Sequence, residues 1–406
     1  MKDTDFYQQV LGLSKPWRVA EVKLELEARK VTVVIECDRG VIWGDANDGK
    51  RAHVHSWNKR QWRHLDTCQF ETILEAAVPR VKYADGHTEE VSVPWAERYS
   101  RVTKLMEAFV IRVLQAASSV SEAAELLGLG WEQTDRIMSR GVERGLLRRE
   151  ASPIEYLGID EKSVARGHQY ATVLNDLSGS RVWEVVEGRK QVEADGVWES
   201  LTQEQKEGVQ AIAMDMWPAF MNSAKAALPN AKVVHDKFHV SKHLNEAVDK
   251  VRKAEHRKLM EVGDSTLKGS KYEWLRNHPD LRRSEAASFR ELHKINLKTS
   301  RAWQFKETFG GFWDYAYVGA AERFFKDWHG KAMRSKIEPI KAVARMLKAH
   351  LPELLNYLAH QITNAASEGF NSLIQNLKAN ARGLPNFTKF RVRILFHCGK
   401  LEMLPA

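Results

Sequence analysis

The sequence contains few cysteines. Cys37, Cys68 and Cys398 are the only three in 406 residues, and they are widely spaced. Such a set is too small for a disulfide framework and suits a reducing cytosol. The chain has no Cys-x-x-Cys pair, so a zinc site would have to combine Cys37 or Cys68 with histidines. Zinc therefore stays open only as a minor alternative.

Long apolar runs are also missing. The first residues, MKDTDF, do not form the apolar centre of a signal peptide. No run reaches the roughly 20 apolar residues that cross a membrane, so we expect a cytoplasmic protein with no membrane partner. Positive charge, in contrast, is abundant: 62 Lys and Arg against 53 Asp and Glu give a net charge of +9. This excess favours a polyanion such as nucleic acid as a partner, although many basic proteins bind none.

Residues 1–100 are predicted to form a small mixed module, with strands at 19–27, 30–37, 67–78 and 87–93. Between the second and third strands, aromatic and histidine residues alternate with positive ones: His53, His55, Trp57, Lys59, Arg60, Trp62, Arg63 and His64. Such a pattern suits phosphate contact and base stacking, so Lys59, Arg60 and Arg63 are candidate DNA ligands. The alternative is a solvated loop with satisfied histidines.

Residues 101–150 are predicted to be helical. Ser119 or Ser121 can cap a helix over 122–127, and a further helix follows over 131–144. This arrangement predicts a helix-turn-helix.

The turn and the last helix of this motif carry its functional features. Ala124 and Gly128 are expected at the tight contact between helices. Arg136, Arg140 and Arg144 are four residues apart and share one helix face. That basic face predicts DNA binding, with a purely structural helical hairpin as the alternative.

Three short apolar runs in the second half of the chain end on carboxylates. The run that begins at Ile154 ends on Asp160 and opens a strand meander that extends to Val186, and later runs end on Asp215 and Asp236. Neighbouring strand ends lie about 4.8 Å apart, so Asp160 and Asp215 can share a pair of Mg²⁺ ions. The alternative is a plain meander with a solvated aspartate.

A late predicted helix supplies a third carboxylate, Glu368. The next face of this helix carries polar and basic candidate DNA contacts: Asn371, Lys378 and Arg382. Two Mg²⁺ ions about 3.5–4 Å apart can activate a water or a 3′-hydroxyl and stabilise the leaving oxygen in phosphodiester displacement. The three carboxylates therefore predict such a site, and Mn²⁺ can substitute for Mg²⁺.

Four motifs in order carry a family resemblance: LGIDE at Asp160, MDM at Asp215, HDKFH at Asp236 and TNAASEGFN at Glu368. Together they resemble the DDE transposases of bacterial insertion sequences, in particular the ISL-three family. The resemblance covers nearly the whole chain, because WRHLD and PWA resemble that family's N-terminal module and the segment from Asn386 to Leu395 its C-terminal motif.

The resemblance implies an α/β fold with a ribonuclease H-like catalytic core formed by 151–236 and 359–406. It implies that Asp160, Asp215 and Glu368 are catalytic and hold the metal ions. It also implies an α-helical insertion over 237–358, after the N-terminal module and the helix-turn-helix.

Asp236 and His239 lie in an Asp-x-x-His element that is similar to one in related transposases. The resemblance gives them a supporting role beside the metals, organising the site or a phosphate. A structural hydrogen-bonded pair is the alternative.

The chain departs from the family in its zinc motifs. Family members carry two Cys-x-x-Cys pairs in the N-terminal module, whereas Gly40, Tyr83 and Gly86 stand where cysteines would fall here. We therefore predict that this module folds without structural zinc.

Taken together, the sequence predicts a transposase that binds terminal inverted repeats, cleaves at the element ends and joins 3′-hydroxyls to target DNA. We expect at least a homodimer, associated with the bacterial nucleoid, because two ends must be paired. Trp303 and Trp313 in the insertion have polar or flexible neighbours and are candidates to stack on an exposed base; core packing is the alternative. The rival functions are a transposase-derived DNA-binding regulator and a structure-selective two-metal nuclease.

Overall fold

The structure is a computed structural model that describes residues 2–44, 51–83, 85–165, 169–276, 297–362, 365–380 and 386–406. It divides into two compact units. The first consists of Met1–Arg149, Ala379–Gly383 and Leu401–Ala406, and the second of Glu150–Lys378 and Leu384–Lys400. None of the described helices combines the length and apolarity that a membrane crossing requires.

A six-stranded sheet forms the first part of unit 1. After helix α1 (Asp3–Val10), its strands are β1 (Trp17–Glu25), β2 (Lys30–Cys37), β3 (Trp43–Gly44), β4 (Arg51–Arg63), β5 (Glu71–Lys82) and β6 (Thr88–Glu90). Strand β2 runs parallel to β5, and the other neighbours pair antiparallel. The core contains a tryptophan cluster in which Trp95 meets Trp17 and Trp62 edge to face, with ring centroids 5.0 and 5.4 Å apart.

The basic segment around Trp57 is part of strand β4, so the solvated-loop alternative is wrong. Strand β4 pairs with β5 from His53 to Arg63. Its apolar alternation is weak: Trp62 is buried in the core, whereas Trp57 stays 44% exposed. A long strand with so few buried residues does not show the period-two pattern that marks a strand in sequence.

Three helices complete unit 1: α2 (Lys104–Ala116), α3 (Val120–Leu127) and α4 (Trp131–Arg148). The Ser119 hydroxyl caps α3 by accepting from the Glu122 amide at 3.2 Å, as one of the two predicted caps. Gly128 was expected at a tight contact, and this is wrong: a Cβ there would meet nothing within 4 Å. Its φ of +61° ends α3 in the left-handed region, which glycine adopts without strain.

A five-stranded sheet forms the centre of unit 2, in the order β11-β10-β7-β8-β9. Its strands are β7 (Tyr156–Ala165), β8 (Gln169–Asp176), β9 (Arg181–Glu187), β10 (Ala211–Met214) and β11 (Lys232–His235). The first three form an antiparallel meander, and β10 lies parallel to both β7 and β11. Helices α5 (Gln191–Val197), α6 (Gln203–Gly208) and α7 (Pro218–Ala227) connect the strands.

A helical segment follows β11. Its described helices are α8 (Lys237–Glu261), α9 (Lys271–Leu275), α10 (Lys298–Gly310), α11 (Val318–Arg334), α12 (Glu338–Ala349) and α13 (Leu351–His360). They share an aromatic core that includes Trp274, Phe309 and Phe312. Helices α14 (Ala365–Asn380) and α15 (Phe387–Cys398) end the fold, and Arg391 ties α15 to β9 through two bonds of 2.7 and 2.6 Å to Glu184.

Candidate active site and DNA-binding surfaces

Asp160 lies in strand β7, and Asp215 directly follows β10, the parallel neighbour of β7. The pairing of the two strands ends with Gly158 opposite Ala213, two residues before each aspartate. Asp215 follows the end of β10, as predicted. Asp160 was expected where its strand ends, and this is wrong, because β7 continues to Ala165 through its pairing with β8. Asp160 lies instead two residues beyond Gly158, the last residue of β7 that pairs with β10.

Helix α14 contacts β7 through the side chain of Asp160. The Asn371 Nδ2 donates to Asp160 Oδ2 at 2.8 Å, and the Lys378 Nζ donates to the backbone oxygen of Ser163 at 3.2 Å. The other Asp160 oxygen, Oδ1, accepts from the amide of Glu161 at 2.8 Å. Asn371 and Lys378 thus place α14 along the strand that carries Asp160.

Glu368 precedes Asn371 by one helical turn of α14. Residues three apart in a helix share a face, so the backbone position of Glu368 lies on the face from which Asn371 reaches Asp160. The side chain of Glu368 lies outside the described part of the structure, and Arg382 lies outside the described residues altogether.

His239, in the first turn of α8, contacts Asp215 with its Nδ1 3.3 Å from Asp215 Oδ2. Asp236 is buried and caps α8 by accepting from the Phe238 amide at 3.1 Å. The two residues of the Asp-x-x-His element therefore have different contacts. Asp236 caps α8, and His239 contacts Asp215, which follows the neighbouring strand β10.

Sequence reasoning missed Lys162 beside Asp160 and a cation–π stack that includes Trp217, two residues after Asp215. Lys162 places its Nζ 3.4 Å from Asp160 Oδ2; the period of two along a strand, which puts residues 160 and 162 on one face, could have found it. The Arg189 guanidinium lies over the Tyr170 ring at 4.0 Å and over the exposed Trp217 ring at 5.9 Å. No spacing in the sequence indicates that stack.

The insertion tryptophans are mostly core residues. Trp274, Trp303 and Trp328 are buried, which makes the expected partial exposure of Trp303 wrong. Its polar sequence neighbours Ser300 and Lys306 are buried as well, so polar residues near a tryptophan in sequence do not indicate exposure here. Trp313 is half-buried and lines a cleft of about 1050 Å³ next to Phe238. The charged residues of this lining are Lys237, Lys242, Lys271, Arg276, Lys306, Glu246, Asp249 and Glu307.

The three arginines of α4 do not act alike. Arg136 is exposed and forms a surface ion pair with Glu132 at 2.9 Å. Arg140 and Arg144 bind the two oxygens of Glu107 in α2 at 2.5 and 2.7 Å, and the Glu107 side chain is only 1% exposed. The prediction of one basic face for DNA binding is therefore wrong for Arg140 and Arg144, because their guanidinium groups pair with the buried carboxylate of Glu107.

The basic residues of β4 also have acidic partners. Lys59 pairs with Glu75 at 2.7 Å while staying 71% exposed. Arg60 pairs with Glu90, and Arg63 pairs with Asp66. All three line a cleft of about 690 Å³ in unit 1, whose other wall includes Arg101 and the turn of the helix-turn-helix: Gly128, Leu129, Gly130 and Gln133. Surfaces from the sheet and from the helix-turn-helix therefore meet at one cleft.

Comparison with known families agrees with this layout. Residues 157–394 match a family described as "Transposase", the DDE domain of family ISL3. Residues 91–142 match the helix-turn-helix domain of transposase family ISL3. Residues 45–85 match the zinc-finger of the transposases of IS204, IS1001, IS1096 and IS1165. Cys68 is the only cysteine in that last range, and folding without structural zinc stays a prediction.

Two curated relatives are similar over most of their length. The transposase for insertion sequence element IS1001 of Bordetella parapertussis is 28% identical over 347 residues, which cover 84% of this chain and 85% of the relative. The transposase for insertion sequence element IS1557 of Mycobacterium tuberculosis is 23% identical, covering 94% of this chain and 93% of the relative. With more than half of its residues matched to the DDE domain, the chain belongs to the ISL3 family of insertion-sequence transposases.

Proposed function

We propose that this transposase binds the terminal inverted repeats of its element, cuts the DNA at the element ends and joins the 3′-hydroxyl ends to target DNA. The observation that carries the proposal is the meeting of three elements at one point of unit 2. Asp160 in β7 and Asp215 after β10 each follow the last paired residues of two adjacent parallel strands, and Asn371 binds Asp160 from the helix that also carries Glu368.

We further propose that unit 2 contains a ribonuclease H-like core. Its support is the sheet of five strands, the fifth of which is followed by a helical segment and then by α14. In this arrangement α14, which carries Glu368, packs on the sheet after the insertion. The insertion accounts for the long sequence gap between Asp236 and Glu368.

Asp160, Asp215 and Glu368 would hold two divalent cations, Mg²⁺ or Mn²⁺. The donor set fits such ions, because Mg²⁺ takes one or two carboxylates together with substrate phosphate oxygens. One oxygen of each aspartate faces a side-chain nitrogen, that of Lys162 at 3.4 Å or that of His239 at 3.3 Å. When bound, two Mg²⁺ ions supply activation of the attacking water or 3′-hydroxyl and stabilise the leaving oxygen.

The neighbouring side chains orient this site. Asn371 fixes the rotamer of Asp160 through a 2.8 Å hydrogen bond, and His239 holds the carboxylate of Asp215 from the first turn of α8. Lys162 reduces the repulsion between the two aspartates. These groups position the carboxylates, and a loss of any one of them costs less than a loss of a carboxylate itself.

The cleft at Trp313 suits a distorted DNA end. Phe238 lines this cleft, is 42% exposed, and precedes His239 in the first turn of α8. Extrusion of a base from a duplex costs a few kcal/mol. Stacking on an aromatic ring can offset about 1–3 kcal/mol of that cost. We therefore assign the stacking role to Trp313 and not to Trp303.

Recognition of the ends would use unit 1. Arg136 on α4 is exposed for base or phosphate contact, and Lys59 reaches solvent from β4. Because both ends of an element must be held together, we propose a homodimer as the smallest active assembly, acting at the nucleoid.

A strand-transfer assay tests this function against its rivals. The protein is incubated in Mg²⁺ with a labelled duplex of the element end and a supercoiled target plasmid. The proposal expects label joined to plasmid. A regulator would bind the end duplex and leave it uncut, whereas a structure-selective nuclease would cut branched DNA without joining it to the plasmid.

A further inference from the structure

Two histidines and a glutamate meet where the edge of the central sheet contacts α13. His235 is the last residue of β11 and is fully buried, His350 connects α12 to α13, and Glu353 lies in the first turn of α13. One ligand atom from each residue lies within 4.8 Å of the other two, and the described residues hold no second group of this kind. None of the three belongs to the carboxylate set of the transposition site.

The distance between the two rings matches that of two nitrogens bound to one ion. His235 Nε2 is 3.4 Å from His350 Nδ1. Two nitrogens that each lie about 2.0–2.1 Å from a tetrahedral zinc ion are about 3.3–3.4 Å apart. The ring nitrogens therefore already have the separation of two ligands on one ion.

The protonation and hydrogen bonding of His235 also suit a ligand. Burial lowers the pKa of His235 to about 4, so the ring is neutral at pH 7. Its Nδ1 faces the carbonyl oxygen of Met214 at 3.4 Å. A proton on Nδ1 then leaves the Nε2 lone pair directed at the cluster, as is usual for metal-bound histidines, whose second nitrogen contacts a carbonyl or carboxylate.

Glu353 brings a carboxylate with one oxygen available. Its Oε1 is 3.3 Å from the Nζ of Lys225. The other oxygen, Oε2, is buried and has no hydrogen-bond partner in the part of the chain that is described. A buried carboxylate oxygen without a partner costs free energy, and a bound cation removes that cost.

We propose that His235, His350 and Glu353 bind a zinc-class divalent ion, separate from the Mg²⁺ ions of catalysis. The ion joins the end of β11 to the start of α13, where Asn356 already donates to the carbonyl of Val233 at 2.8 Å. It thereby fixes the strand that ends at Asp236 against the helical segment. This inference does not rest on the proposed transposition chemistry.

Metal titration of the full chain tests the site. The chain is stripped with a chelator and titrated with Zn²⁺ or Co²⁺ in excess Mg²⁺, which occupies the catalytic carboxylates. The variants are His350→Asn and Glu353→Gln. His360→Asn is the control, because His360 lies on the same helix and outside the cluster.

The expected result is one more ion per wild-type chain than per His350→Asn chain, with tetrahedral Co²⁺ bands that carry no thiolate charge transfer. Glu353→Gln weakens the affinity at least about tenfold, the lower range for disturbing a metal shell. His360→Asn binds as wild type does. At the same concentration, Zn²⁺ also raises the melting temperature of wild type more than that of Glu353→Gln. Equal stoichiometry and equal affinity in wild type and Glu353→Gln overturn the proposal, even if His350→Asn fails to fold.

Discussion

The ion pairs of Glu107 offer a direct test of how α2 and α4 are held together. Replacing Glu107 by Ala removes the partner of both Arg140 and Arg144 from a position where the carboxylate is 1% exposed. Breaking a buried pair from one side costs about 3–5 kcal/mol. Arg140→Ala is milder, at about 1.5–3 kcal/mol for one charged hydrogen bond, because Arg144 still neutralises Glu107.

Hydrogen exchange of the full chain, followed by mass spectrometry, measures these costs locally in α2 and α4. One tenfold change corresponds to 1.4 kcal/mol, so Glu107→Ala should speed exchange there by about two to four orders of magnitude. Glu132→Ala is the control, since its pair with Arg136 is exposed on both sides and contributes about 0.3–0.5 kcal/mol. If Glu107→Ala changes the exchange rate by less than tenfold, these ion pairs do not hold α2 and α4 together. Arg140 and Arg144 then become candidate DNA contacts again.

The other predictions address DNA recognition, pH and the insertion. Arg136→Ala should weaken binding to the end duplex, and the slope of log affinity against log salt concentration should fall by about 1. Hydrogen exchange in α4 should not become faster. Unchanged affinity would mean that α4 does not face DNA. Burial lowers the pKa of His64 to about 4. Between pH 6.5 and 4, His64 is therefore protonated in the unfolded chain and neutral in the folded chain. The contribution of His64 to stability is therefore complete above pH 6.5 and falls by about 3 kcal/mol towards pH 4. In urea unfolding, His64→Asn should reduce the loss of stability over this pH range by that amount, and an equal loss in both proteins refutes the assignment. Trp303→Ala should destabilise the insertion by about 3–5 kcal/mol. Trp313→Ala should fold normally but lose both cleavage rate and the fluorescence change of 2-aminopurine at the terminal base; normal cleavage by Trp313→Ala contradicts the stacking role.

The sequence could predict the strands that carry the candidate site because they are short and apolar. The runs before Asp215 and Asp236 are buried parallel strands, and each ends where the polar residue stands. Asp160 was misplaced relative to its strand end because β7 continues through polar residues that the antiparallel partner β8 stabilises. Sequence periodicity does not report a partner strand, so the extension of β7 could not be seen.

Charge patterns were less informative than apolar patterns. Arg136, Arg140 and Arg144 have identical spacing, yet only Arg136 remains at the surface. The difference comes from Glu107, which lies 33 residues before Arg140 and 37 before Arg144 and is brought to α4 only by packing. Trp303 and Trp313 show the same limit, since their exposure depends on neighbouring helices and not on the residues beside them in sequence.

Cleavage of the end duplex by carboxylate variants tests the central claim most directly. Asp160→Asn, Asp215→Asn and Glu368→Gln each remove one charged oxygen ligand and keep the shape of the side chain, and Glu204→Gln on the exposed face of α6 is the control. We predict that all four bind the duplex as wild type does. Cleavage in Mg²⁺ should fall by several orders of magnitude in the first three variants and stay normal in the control. Near-normal cleavage by Glu368→Gln in Mg²⁺ would contradict the proposed site.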